Sequence, residues 1–218
     1  MTAGDKGSAE HSAAEISKIR RNEAAAAAAK LGADYLCLEF SDLQIDVGDE
    51  SRRRVTEAVR RTAPQIVLTA PPIDYMTDHE VTSRLVRDAC FAASVPNFHT
   101  GQWDPASPTE RIPHLYYCDS VGGVDWFGDP TPTSLLVDVT DQIDARSELL
   151  ACHASQREWL RRQHGEDEYL DSARRWSAAR GAEAGYDYAE AFRQHRGHPY
   201  PHDDRLAELL GDGYRKTD

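Results

Sequence analysis

An uninterrupted apolar run at residues 65–70, with helical patterns on both sides, sets the fold class of this chain. The run reads Gln-Ile-Val-Leu-Thr-Ala and lacks the polar alternation of a half-exposed strand. Strands covered by helices on both faces of a parallel sheet have this pattern. Residues 51–62 before the run and residues 80–94 after it are amphipathic and supply such helices. The run therefore predicts a doubly covered strand.

The same alternation of helix and strand continues along most of the chain. Further strands are predicted at residues 35–40, 114–118 and 134–139, and further helices at residues 12–31 and 141–163. This order is typical of an α/β fold, a Rossmann-like parallel sheet with helices on both faces. Beyond Gly165 the chain turns to charged and aromatic residues in helical patterns. We therefore predict an α/β domain at residues 1–164 and a C-terminal helical extension at residues 165–218.

Composition restricts the class of partner and the compartment. The formal net charge is −12, whereas a nucleic-acid-binding protein needs a basic face. Four cysteines without a close pair are typical of a reducing, cytoplasmic compartment. The longest apolar stretch, residues 24–29, is far below the roughly 20 residues of a membrane span. We expect a cytoplasmic protein with no nucleic-acid partner and no membrane span.

A polar loop at residues 74–79 is the best candidate site, because it follows the apolar run and precedes a helix. In open α/β sheets this edge is where ligands bind. The neutral imidazole of His79 can bind zinc, and Asp78 can orient a neighbouring group by a hydrogen bond. The alternative is that Asp78 caps the helix and His79 is an ordinary first-turn residue. From residue spacing alone, this alternative is favoured.

Other histidines are weaker candidates. A cluster near the C-terminus comprises His195, His198, His202, Asp203 and Asp204. A glycine and two prolines interrupt it and no apolar strand positions it, so a solvated loop is the favoured interpretation. His153 lies on a predicted helix and could face either a site or solvent.

Several stretches, taken in order, resemble the LmbE-like (PIG-L) zinc-dependent de-N-acetylases. The matching stretches are residues 2–8 (a glycine-containing turn), 20–32 (an alanine-rich helix), 40–42 (a substrate-facing loop), 64–93 (strand, proline-rich loop, Asp-His pair and helix) and 139–159 (a late helix). The resemblance implies hydrolysis of the N-acetyl group of an N-acetylglucosaminyl-type substrate, a small N-acetylated sugar conjugate, with zinc as cofactor. Oligomeric state is left open, a homo-oligomer included.

The resemblance also implies roles for five residues. His79 matches the final histidine of the family's His-Pro-Asp-His motif, which binds zinc. Asp78 matches the aspartate of that motif, which orients the catalytic acid. Arg20, Glu23 and Asp42 match positions near the family's pocket and are expected to bind or support substrate.

The chain departs from the family pattern in two places. Met76 stands where the family has its acid histidine, so another group or water would protonate the leaving amine. The family's His-Pro-Asp-Asp loop, which supplies a histidine and an aspartate to zinc, has no counterpart here, and a catalytic zinc site needs about three protein ligands.

Two interpretations of the absent loop stay open. If the start is mis-called, the longer native chain is an active N-deacetylase. If the loop is truly lost, the chain is an inactive fragment or a noncatalytic binding protein. Losing a core strand would also expose apolar faces, so we expect the 218-residue chain alone to be poorly soluble.

Overall fold

The computed structural model describes residues 1–164 and 168–217. The chain forms two compact units. The helical unit comprises Met1–Gln44 and Asp138–Ala189, and the sheet unit comprises Ile45–Val137 and Glu190–Asp218. In chain order the helices are α1 (Ala13–Lys30), α2 (Asp49–Thr62), α3 (Thr77–Ala93), α4 (Ile143–Ala151), α5 (Ala154–His164), α6 (Glu168–Ala184) and α7 (Arg205–Leu210). The strands are β1 (Ile66–Thr69), β2 (His114–Cys118), β3 (Leu135–Asp138), β4 (Ala189–Gln194) and β5 (Tyr214–Lys216).

The helical unit is built around α1, which forms where the sequence predicts a helix. Ser12 and Glu15 make a capping box: the Glu15 backbone N–H donates to Ser12 Oγ at 3.4 Å, and Glu15 Oε2 accepts from the Ser12 backbone N–H at 2.9 Å. The alanines that follow supply high helix propensity. Helix α1 packs against α4 and α5, and α6 packs against the same two helices.

The sheet unit contains one mixed sheet with the strand order β1-β2-β4-β3-β5. Strands β1 and β2 are parallel, whereas β4 is antiparallel to β2 and β5 is antiparallel to β3. Helices α2 and α3 pack against each other, and α3 contacts β1 and β2. The α/β fold class is confirmed, with the correction that the sheet is mixed.

The predicted C-terminal extension is only partly helical. Helix α6 forms, but residues 189–194 are strand β4, whose Tyr116↔Gln194 pairing places it next to β2. Its Ala191 and Phe192 are buried in the sheet unit. Pairing with β2 therefore outweighs a local sequence that resembles a helix. The predicted domain boundary falls at residues 165–167, outside the described residues, and stays a prediction.

The predicted buried strand at residues 35–40 is wrong. Only Phe40 pairs, in an isolated parallel bridge with Thr2, and Leu36 is 60% exposed. Glu39 has a φ of 55°, a left-handed conformation that interrupts an extended strand.

The predicted double cover of β1 is also wrong. Leu68 is 50% exposed, whereas Thr69, which points to the opposite face of the strand, is buried.

The predicted helix at residues 141–163 is divided. A short 3-10 turn (Thr140–Gln142) precedes α4, and the chain leaves the helix between α4 and α5. His153 lies in that break, where its carbonyl accepts from the backbone N–H groups of Gln156 and Arg157, both at 3.2 Å. His153 is therefore at the start of α5 rather than on a helix face.

Within the described ranges, no helix is both long and apolar enough to cross a bilayer.

Candidate functional site

The loop between β1 and α3 carries a buried carboxylate that holds an imidazole. The side chain of Asp74 is 2% exposed, and its Oδ1 lies 2.9 Å from Nδ1 of His79. The same oxygen accepts from the backbone N–H of Met76 at 3.1 Å. A carboxylate on Nδ1 keeps the proton there and leaves the lone pair on Nε2, which is the arrangement of a metal-binding histidine.

His79 lies in the first turn of α3 with its side chain 41% exposed. The edge of the ring meets Tyr75, with the two ring centroids 5.5 Å apart. Its orientation is therefore fixed on one side by Asp74 and on another by Tyr75. Nε2 of a partly exposed, oriented imidazole can accept a metal ion or a substrate proton.

Asp78 is buried in the first turn of α3, at 4% exposure. The N-cap position belongs to Met76, whose side chain makes no capping hydrogen bond. Asp78 therefore lies in the first turn and not at the N-cap position, and its role in orienting a neighbouring group stays a prediction. A carboxylate in the first turn is still favoured by the positive end of the helix dipole.

Two contacts that sequence reasoning missed fix the backbone of Asp74. Trp126 Nε1 donates to the Asp74 carbonyl at 2.7 Å, and the Asp74 backbone N–H donates to Glu80 Oε1 at 2.9 Å. The signal for the role of Asp74 was its presence in the candidate loop, five positions before His79. No local pattern pointed to Trp126, which is 52 residues away in sequence.

A small cavity of about 50 Å³ lies at the same edge of the sheet. Pro71 and Pro72 line one side, and Asp119 and Ser120, which follow β2, line the other. Asp119 Oδ1 accepts from the Ser120 backbone N–H at 3.0 Å and from Thr131 Oγ1 at 2.9 Å. The carboxyl ends of the two parallel strands thus meet beside the candidate loop, as the position of ligand sites in open sheets predicts.

Arg20 is held within the helical unit. Its Nη2 donates to the Gly7 carbonyl at 2.9 Å and to Gln156 Oε1 at 2.7 Å. Gly4 has a φ of +70°, and a Cβ there would lie 2.4 Å from Arg20 Cδ. The predicted glycine-containing turn is thus wrapped closely around this side chain.

Glu23 accepts two hydrogen bonds from the start of α5. The Ser155 backbone N–H donates to Oε1 at 2.8 Å, and Ser155 Oγ donates to Oε2 at 2.7 Å. Arg20 and Glu23 therefore both join α1 to the first turn of α5.

Asp42 connects the loop at residues 41–44 to the turn at residues 2–8 by hydrogen bonds. Its backbone N–H donates to Asp5 Oδ1 at 2.6 Å, and its Oδ2 accepts from the Lys6 backbone N–H at 3.3 Å. The side chain is nearly buried. Binding of substrate by Arg20, Glu23 and Asp42 stays a prediction, alongside these structural contacts in the helical unit.

The donor set in the described residues does not fit a catalytic zinc. Across residues 1–164 and 168–217, no group of three or more His, Cys, Asp and Glu side chains is placed to hold a metal ion. The cluster at His195 is not such a group either, and the ring of His195 bonds Tyr117 instead. His79, held by Asp74, offers one oriented ligand atom.

Comparison with known proteins agrees with the motifs. Residues 1–90 match the family model described as PIG-L: GlcNAc-PI de-N-acetylase. All five predicted site residues fall within this stretch.

Three solved structures have a similar fold. The conserved protein TT1542 from Thermus thermophilus is 24% identical, with 86% of this chain and 78% of that chain covered and a TM-score of 0.67. The N,N'-diacetylchitobiose deacetylase from Pyrococcus horikoshii is 22% identical, with 94% and 75% covered and a TM-score of 0.72. GalB, the 4-carboxy-2-hydroxymuconate hydratase from Pseudomonas putida, is 21% identical, with 92% and 83% covered and a TM-score of 0.67.

At these identities the three structures show that this chain shares their fold. The fold and the match over residues 1–90 together confirm the resemblance of this chain to the LmbE-like (PIG-L) family.

Proposed function

We propose that this chain is a hydrolase of the deacetylase type, which removes the N-acetyl group of an N-acetylglucosaminyl-type sugar conjugate. The observation that carries the proposal is the Asp74–His79 pair, 2.9 Å between Oδ1 and Nδ1, at the carboxyl end of β1. It lies in the stretch that matches the PIG-L family model. The Pyrococcus neighbour, an N,N'-diacetylchitobiose deacetylase, supports a substrate of this class.

The proposed reaction is hydrolysis of an amide. Water adds to the acetyl carbonyl carbon, the C–N bond breaks, and acetate and a free amine leave after the nitrogen takes up a proton. His79 would present Nε2 toward a metal ion as one of its ligands, with Asp74 fixing the ring. Asp78 would orient the group that protonates the leaving amine, the role that the resemblance implies for it. Because the described residues supply only one of about three ligands, no step is assigned to zinc.

The test is acetate release from N,N'-diacetylchitobiose by the purified chain with added Zn²⁺. We expect His79→Ala to lower any zinc-dependent rate at least roughly 100-fold, as loss of a metal ligand does. His202→Ala is the matched control, since His202 is an exposed histidine of the same unit. Equal rates for the wild type and His79→Ala would refute the role of His79.

The same protein sample can distinguish the deacetylase from the alternative, a noncatalytic binding protein. A binding protein would bind the sugar in calorimetry, release no acetate, and bind equally well with EDTA present.

Four free cysteines support the further proposal of a reducing, cytoplasmic location.

A further inference from the structure

A second cavity, of about 890 Å³, lies in the sheet unit between the C-terminal half of α3 and the segment that follows β4. Its lining includes Arg87 and Phe91 from α3, and His195, Gly197 and Tyr200 from the segment after β4. This volume is within the range of small-molecule sites.

The cavity is remote from His79 along the helix. His79 and Arg87 are eight positions apart on α3, which is roughly 12 Å along the axis at about 1.5 Å per residue. Phe91 lies one further turn away. The cavity therefore needs an explanation separate from the loop between β1 and α3.

His195 is held rigidly at the wall of this cavity. Its backbone N–H donates to the Leu115 carbonyl at 2.8 Å, and its Nδ1 lies 3.0 Å from the Tyr117 hydroxyl. The ring meets Tyr200 edge to face, with centroids 4.3 Å apart. Burial, reinforced by the charge of Arg87, lowers the pKa of His195 below its ordinary value. A neutral ring that accepts the Tyr117 proton at Nδ1 carries its own proton on Nε2, as a donor.

Gly197 leaves that donor uncovered. A Cβ at position 197 would lie 2.9 Å from Nε2 of His195. Gly197 is not among the residues with positive φ, so its backbone conformation does not require glycine. The missing side chain instead opens the space over Nε2.

The charged groups around the cavity have an excess of positive charge. Asp88 pairs with two guanidinium groups, at 3.0 Å from Arg87 Nη2 and 3.6 Å from Arg52 Nε. Two cations share one carboxylate, in a chain whose net charge is −12. A local cationic site in an acidic protein favours an anionic ligand.

The remaining wall is apolar. Phe91 is 46% exposed, and Ala92, Val95 and Phe98 continue the surface toward the end of α3. A flat apolar group placed here would bury part of this surface.

We propose that this cavity binds a small organic anion with a flat apolar body, an aryl carboxylate. The His195 Nε2–H and the Arg87 guanidinium bind the carboxylate, and Phe91 and its neighbours contact the ring. The site does not depend on the deacetylase proposal.

The test is calorimetric titration of the full chain with 2-naphthoate, compared with the neutral analogue 2-naphthylmethanol. We expect one site, with the neutral analogue at least roughly tenfold weaker, as loss of hydrogen bonds to a charged group predicts. Gly197→Ala should weaken 2-naphthoate binding by a similar factor without removing any polar group. Gly213→Ala is the matched control, because a Cβ there meets its nearest atom, the Leu210 carbonyl oxygen, at 3.4 Å.

Three results would overturn the proposal. These are equal binding of the neutral analogue, equal binding by Gly197→Ala, or no saturable binding of 2-naphthoate up to roughly 1 mM, the limit of weak specific affinity. If Gly197→Ala does not fold by circular dichroism, Arg87→Gln replaces it. Arg87→Gln should likewise bind 2-naphthoate more weakly, and unchanged affinity would count against the site.

Discussion

The carboxylate of Asp74 serves two donors at once. We predict that Asp74→Ala lowers the free energy of unfolding by about 1–3 kcal/mol, because the Met76 N–H and the His79 ring lose their acceptor. Urea denaturation measures this loss, and Asp212→Ala, which removes an exposed aspartate of the same unit, should change it little. A stability equal to that of the wild type would mean that Asp74 does not hold the ring.

Glu57 in α2 is a second carboxylate that accepts two hydrogen bonds. It makes the free energy of unfolding depend on pH. Burial acts to raise the pKa of Glu57, but hydrogen bonds from Thr100 Oγ1 (2.6 Å) and the Ala106 N–H (2.9 Å), with the charge of Arg61, outweigh burial and lower the pKa below 4.5. A carboxylate whose pKa is lower in the folded than in the unfolded protein stabilises the folded state at pH values above the unfolded pKa. That stabilisation is lost as pH falls through the folded pKa.

We therefore predict that Glu57→Gln costs about 1–3 kcal/mol at pH 7, since the amide cannot accept both hydrogen bonds. The difference from the wild type should shrink as the pH falls below 4.5, the ordinary value for this group. Urea denaturation between roughly pH 3 and pH 7, a range that includes the ordinary carboxylate pKa, measures this difference in unfolding free energy. Glu50→Gln is the control, because Glu50 is 85% exposed; a constant difference across this range would contradict the assignment.

At the scale of elements, Glu23 joins two helices of the helical unit. Glu23→Ala should destabilise that unit by about 1 kcal/mol, the typical cost of losing a helix cap, because the first turn of α5 loses its acceptor. Amide exchange in α5 measures the local effect. Glu183→Ala removes a surface pair on α6 and should cost much less. If α5 is equally protected in both variants, Glu23 does not stabilise its N-terminus.

The elements also show where sequence patterns are sufficient. Residues 12–31 carry a cap and high helix propensity and are followed by Gly32, and α1 forms there because these local signals agree. Strand β2 reads His-Leu-Tyr-Tyr-Cys and also forms as predicted. Strand β4 reads Ala-Glu-Ala-Phe-Arg-Gln, and its partner is some 75 residues earlier, so no local signal could identify it. The candidate loop was predictable from its position after β1, whereas the contact that orients His79 depends on how the loop turns.

At the scale of the whole molecule, one strand leaves apolar surface exposed. Strand β1 lies at one end of the sheet order, and Leu68 is 50% exposed. Such an edge promotes association between chains, and a lysine there opposes it. We predict that Leu68→Lys reduces self-association of the purified chain in size-exclusion chromatography with light scattering.

The control for that experiment is Leu209→Lys, since Leu209 is 63% exposed but lies on α7 rather than on a strand. An equal effect of the two substitutions would mean that general hydrophobicity, and not the edge, causes association. A wild-type chain that is cleanly monomeric would contradict the expectation of poor solubility.

The position of β4 has a consequence for how the protein is made. In the finished sheet β4 separates β2 from β3, yet it is synthesised after both. A nascent chain leaving the ribosome therefore carries β2 and β3 without their common neighbour until Gln194, the last residue of β4, has been added. Domains usually fold as units during synthesis, but β2 and β3 cannot join one sheet until β4 has emerged.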